Sequence, residues 1–116
     1  MTTPRPLDTA WTAPDGRTLR ATLHGDLDYH TGDQLLTDLT RRLAPGLQDV
    51  RLHCGSLAYC DAYGLSTLLM IARRVRASGA NLHLDERPAE LDRLLDQTGT
   101  LNYLTAPSGR HPLRTE

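Results

Sequence analysis

The stretch 49–78, DVRLHCGSLAYCDAYGLSTLLMIARRVRAS, constrains this chain more than any other. It opens with a short apolar strand pattern over residues 50–54, passes through a loop of small residues, and becomes helical at Asp61. Leu65, Leu68, Leu69, Ala72 and Val75 then fall on one stripe, the spacing of a helix with one buried face. Asp61 suits the N-cap, because its carboxylate can accept from the N–H of Tyr63 or Gly64. Arg73, Arg74 and Arg76 lie towards the other end, where cations complement the helix dipole, and Ser78-Gly79 closes the helix.

The flanking segments repeat the alternation. Residues 7–12 read as a short edge strand, and Ala13-Pro14-Asp15-Gly16 as a turn. Residues 18–24 alternate, with Leu19, Ala21 and Leu23 on one face, which predicts a hairpin with the first strand. Gly25-Asp26-Leu27-Asp28 reads as a loop bearing two carboxylates. Thr31 and Gln34 fit a capping box, followed by a helix with Leu35, Leu36, Leu39 and Leu43 on its stripe, stopped by Ala44-Pro45-Gly46. Residues 80–84 form another alternating strand. Pro88 starts a last helix, striped by Leu91, Leu94 and Leu95 and closed by Thr98-Gly99. Residues 101–104 are apolar and are expected to pack back on the core. Strands alternating with helices imply right-handed crossovers and a largely parallel sheet. The expectation is one α/β domain over residues 7–104, ordered β-β-α-β-α-β-α. Its sheet is mixed but mostly parallel, of four to five strands, and residues 1–6 and 105–116 form flexible ends.

At 116 residues the chain suits one domain with a modest core. A net charge of -1 gives no overall field for nucleic acid or an anionic membrane, so Arg73, Arg74 and Arg76 read as a solvated helix face. No apolar run reaches the roughly 18 to 20 residues of a membrane span, and the first residues lack the apolar core of a signal peptide, so the expected location is the cytoplasm. Cys54 and Cys60 are expected as buried thiols. His53, Cys54 and Cys60 lack metal-ligand spacing, and a strand sends His53 and Cys54 to opposite faces, so no metal is expected. Cys60 stands near a helix N-terminus, a place that lowers a thiol pKa, but no histidine is tied to it by motif. Asp26 and Asp28 read as solvated loop acids, with an acid–base pair as the outsider. No phosphate-cradling glycine loop or nucleophile elbow is present, so neither catalysis nor a cofactor is expected. A small enzyme using Cys60 or the loop carboxylates stays as the outlying alternative.

Three stretches, in order, carry a family resemblance: Gly25-Asp26-Leu27-Asp28-Tyr29-His30-Thr31, the segment 54–69, and Pro88-Ala89 through Leu94 to Gly99. Together they resemble the STAS domain, the fold of bacterial anti-sigma factor antagonists and of the sulfate-transporter C-terminal domain, over residues 7–104. The resemblance implies a binding switch in transcription regulation. In the antagonists, the first hydroxyl residue after a motif aspartate is phosphorylated by an anti-sigma factor with kinase activity. The unphosphorylated form binds that factor and frees the sigma factor.

Asp61 matches the motif aspartate, Gly64-Leu65 the glycine-leucine after it, and Asp28 the acid of the neighbouring loop. Two positions depart: Ala62 stands in the place of the phosphorylated serine, and Tyr63 at the second hydroxyl position. His53 also replaces an acid or amide often found there. The implied partner surface comprises Asp26, Asp28, Asp61, Ala62, Tyr63, Gly64, Leu65 and Ser66. Asp61 can cap and contact at once, and Tyr63 reads equally as an exposed recognition aromatic or as packed on the 25–30 loop. Ser66 and Thr67 are the nearby hydroxyls, read first as helix residues bonding to backbone. The implied partner is an anti-sigma factor or a protein with a histidine-kinase-like ATPase domain, bound without the usual phospho-switch. The alternative is an accessory subunit of a lipid-type ABC transporter. The short first strand leaves an edge on which a homodimer could form.

Overall fold

The computed structural model describes residues 6–106. The elements are β1 (Asp8–Thr12), β2 (Thr18–Leu27), α1 (Gly32–Arg42), β3 (Asp49–Cys60), α2 (Ala62–Ala77), β4 (Asn81–Asp85), α3 (Ala89–Thr98) and α4 (Leu101–Thr105). They form one four-stranded sheet in the order β1-β2-β3-β4. β1 pairs antiparallel with β2 through the expected hairpin, whereas β2, β3 and β4 run parallel. The predicted α/β order holds, with one short helix added at the end.

Alternation along the strands sorts the sheet into two faces. Leu19, Ala21, Leu23 and Leu27 of β2, Val50, Leu52 and Cys54 of β3, and Leu82 and Leu84 of β4 are buried on one face. Leu35 and Leu39 of α1 and Leu68, Ile71, Ala72 and Val75 of α2 join them in one core. Thr22, His24 and His53 point the other way and are exposed. On that polar face Arg51 bonds Asp85 at 2.9 Å and His83 meets Asp49 at 2.8 Å, each pair crossing from β3 to β4. The leucine stripes of the helices serve as expected, but Leu36, Leu43, Leu69 and Leu94 are only partly buried, and Ile71 fills the core more fully than the stripe around it suggested.

Three segments differ from the sequence expectation. Residues 55–60 are not a loop. They extend β3 alongside β2 as far as the Leu27–Cys60 pair, and Asp26 accordingly belongs to a strand. The register slips between Thr22 and His24 and again between Gly25 and Asp26, so β3 carries one extra residue at each slip. Gly55 and Ser56 gave this stretch the composition of a loop; bulges accommodate such residues within a ladder. Residues 101–104 lie in a helical turn, α4, which buries Leu104 and is fastened by Arg76. The Arg76 guanidinium donates to the Tyr103 carbonyl and lies 4.4 Å over the Tyr103 ring. The expected loose end at 105–106 therefore begins inside this helix, while residues 1–5 and 107–116 fall outside the described residues.

Two outcomes are expected from this fold. Leu52→Ala, at a fully buried position, lowers unfolding free energy by about 2–5 kcal/mol in urea denaturation. Amide exchange within residues 55–60 is slow at the ladder-bonded positions, whereas a loop there would exchange throughout within seconds.

Candidate functional site

The carboxyl ends of β2 and β3 lie side by side, and the chain leaves both directly into helices. Such carboxyl ends are where open α/β sheets place their sites. After β2 the chain turns at Asp28, which is buried. The Asp28 carboxylate accepts from the His30 N–H at 2.9 Å, and its carbonyl accepts from the Gly32 N–H at 3.0 Å. Asp28 therefore starts the turn that leads into α1. The expected capping box does not form. Thr31 is already in a helical conformation (φ -108°, ψ -17°), whereas a capping residue must be extended. Its hydroxyl accepts from the Asp28 N–H at 3.0 Å and donates to the Asp26 carbonyl at 2.9 Å. Gln34 donates instead to Asp38 at 2.9 Å.

At the end of β3, Asp61 is extended (φ -105°, ψ -169°) and its carboxylate accepts from the Gly64 N–H at 2.9 Å. The cap is the one expected, with Gly64 rather than Tyr63 as donor. The Asp61 N–H also donates to the Leu27 carbonyl at 3.4 Å, so the first turn of α2 is seated on the end of β2. Gly64 permits this approach. A Cβ there would overlap the Leu27 carbonyl and lie 2.9 Å from Cys60 Sγ. Gly32 plays the same part between the helices, since a Cβ on it would overlap the Thr67 hydroxyl.

Around this frame the residues divide by exposure. Gly64, Leu65 and Thr67 are buried; the Thr67 hydroxyl donates to the Tyr63 carbonyl at 3.3 Å. Ala62, Tyr63 and Ser66 are exposed, with Ala62 the first helical residue of α2. Tyr63 is 62% exposed, and its ring also packs on the 25–30 loop, meeting Tyr29 edge-on at 5.3 Å. Tyr29 is 69% exposed and also stands edge-on to His30 at 5.5 Å. A shallow groove between α1 and α2 is lined by Asp28, Tyr29, Asp33, Tyr63, Ser66 and Met70, among others. Tyr29 and Met70 were not picked out from sequence. Tyr29 lay within the motif loop, and Met70 lies seven residues after Tyr63, on the same helix face.

The chemistry of the groups here is mild. Burial, helped by the neighbouring Asp61 charge, pushes the Cys60 thiol up to about 12, and burial does the same to Cys54. The thiolate that a helix N-terminus would favour is thus suppressed at Cys60, whose neighbour Asp61 already takes the free Gly64 N–H. Among the described residues no group of three histidine, cysteine or acidic side chains could hold a metal ion.

Asp61→Ala is expected to cost about 0.5–2 kcal/mol by removing the cap, and Gly64→Ala about 1–3 kcal/mol or more by forcing α2 off the β2 terminus; thermal melts read both. Because the Cys60 thiol stays protonated, iodoacetamide at pH 7.5 should label it at least about tenfold more slowly in the native chain than in urea.

A family model described as Mlab, STAS domain matches residues 12–105. No curated protein is significantly similar in sequence. Among solved structures, the unphosphorylated anti-sigma factor antagonist SpoIIAA superposes with a TM-score of 0.69 at 16% identity, covering 79% of this chain and 81% of its own. An anti-sigma factor antagonist from Mycobacterium paratuberculosis also gives 0.69 at 16% identity, covering 89% and 86%. The murine Slc26a9 anion transporter gives 0.68 at 11% identity, covering 83% of this chain but 18% of the transporter. At such identities the structures establish a shared fold. The family model spans most of the sequence, and the chain belongs to the STAS domain family.

Proposed function

We propose that this chain is a non-enzymatic protein-binding module of the anti-sigma factor antagonist kind, and that its surface is not switched by phosphate at the family position. The observation that carries the reading is Ala62. It is exposed at the first helical position of α2, next to the capping Asp61, and has no oxygen to accept a phosphoryl group. The framing residues Asp61 and Gly64 are nevertheless kept, with the bond between them intact. In this reading the partner is an anti-sigma factor or a protein with a histidine-kinase-like ATPase domain, met in the cytoplasm by the domain over residues 7–104. No helix among the described residues is long and apolar enough to cross a membrane, which is compatible with that location.

The two hydroxyls considered as substitutes differ. Thr67 is buried and bonded to the Tyr63 carbonyl, whereas Ser66 is exposed. Ser66 stands a full turn beyond Ala62, so a kinase positioned for the family serine would have to reach further along α2. The raised Cys60 thiol supports a binding role over the small-enzyme alternative. A second reading, an accessory subunit of a lipid-type ABC transporter, is favoured by the Mlab-type family model and by the likeness to a domain of an anion transporter. Neither reading requires a phosphoacceptor.

Ala62→Asp should separate docking at this surface from docking elsewhere. A phosphate adds roughly -1.5 to -2 charge and aspartate imitates part of it, next to Asp61. Calorimetric titration with the anti-sigma factor should show at least tenfold weaker binding for the variant. Unchanged affinity places the interface elsewhere, and no binding by the wild type, together with recovery of an ABC ATPase, selects the transporter reading.

A further inference from the structure

The groove at Tyr63 does not end there. α1 and α2 both run from the carboxyl ends of their strands back towards the opposite end of the sheet, so they lie parallel, with their C-termini together. From Tyr29 and Tyr63 the surface continues along α2 past Met70 to Arg73, Arg74 and Ala77, and at Arg74 it meets a hollow shared with Thr40 and Arg41 of α1. Met70 lines both the aromatic and the arginine stretch, which makes the surface continuous. One end therefore holds two exposed tyrosines with Asp33, the middle an exposed methionine, and the far end a cluster of cations.

Balancing the helix dipoles does not use all of those cations. Arg42 donates to the Asp38 carbonyl at 2.9 Å, Arg74 crosses the seam to the Thr40 hydroxyl at 3.0 Å, and Arg76 is held by Tyr103. Arg41 and Arg73 are exposed and make no such bond among the described residues. Exposed aromatics and methionine beside unengaged arginines make a surface that is apolar at one end and electrostatically selective at the other.

We propose that this seam receives an amphipathic helix of the partner, with apolar residues on Tyr29, Tyr63 and Met70 and carboxylates over Arg41, Arg73 and Arg74. This deepens the proposed function and rests on its placing of the docking surface at Tyr63. The 16 residues of α2 span about 24 Å, so the occupant is a helix of about four turns. Charge complementarity places its acidic turns at the C-terminal end of α2.

The test uses two synthetic 16-residue helical peptides with the same leucine stripe, one carrying glutamates in its last two turns and the other lysines there. Each is titrated into the full chain at low salt and followed by backbone amide NMR. The acidic peptide should perturb amides in residues 29–41 and 63–77 and bind at least tenfold more tightly than its lysine twin. The double variant Arg73→Glu, Arg74→Glu should reverse that preference, and Met70→Ala should weaken both peptides. Shifts mapping elsewhere, equal affinities for the two peptides, or no binding of either at millimolar concentration would overturn the proposal. None of those results bears on whether the intact anti-sigma factor binds, which the Ala62→Asp titration decides separately.

Discussion

The close approach of α2 to the end of β2 is the constraint on which the rest of the site depends. β3 stays paired with β2 as far as Leu27 and Cys60, and the chain then turns so tightly that Gly64 lies against the Leu27 carbonyl. A side chain at Gly64 cannot fit, and the Asp61 carboxylate holds the Gly64 N–H in place. Gly32 and Thr67 repeat the arrangement between the two helices. The first turn of α2 is thus fixed against both the sheet and α1, and Ala62 and Tyr63 are presented on a rigid support. A binding surface built this way loses little conformational entropy when a partner arrives.

That rigidity gives the departures from the family pattern their meaning. Were the frame also lost, Ala62 would be one more change in a drifting segment. In the proposed reading the capping Asp61, Gly64 and the buried Leu65 match the family motif, and what differs is the group displayed at Ala62. Ala62 is exposed and precedes Tyr63, whose ring meets Tyr29 in a groove also lined by Asp28 and Asp33. In the proposed docking, Tyr29 and Tyr63 supply apolar contact and the arginines further along supply charge selectivity.

Much of the fold was legible in the sequence, because it is written in periodicities. The leucine stripes of α1, α2 and α3 and the alternation in β2 and β4 gave the element order and the core face. Residues 55–60 were misread because glycine, serine and alanine look the same in a loop and in a bulged strand. Only the neighbouring strand, through pairing up to Leu27, distinguishes the two. The capping box failed for a related reason: Thr31 and Gln34 have the right spacing, but Asp28 starts the turn first, and sequence does not show which candidate acts earlier. At the site, Asp61, Ala62 and Gly64 could be placed from motif spacing. The contact of Tyr63 with Tyr29 and the run of the groove through Met70 could not, since they depend on how α1 packs on α2.

The proposed function requires that the Asp61–Gly64 frame present, at Ala62, a position that accepts no phosphate. Intact-mass measurement after incubation with the cognate anti-sigma factor kinase and ATP tests it most directly, on the wild-type chain and on Ala62→Ser in parallel. An unmodified wild type and a single phosphate on the variant are expected, because the frame is sound and only the oxygen is missing. A stoichiometric phosphate on the wild type within residues 61–67 would contradict it.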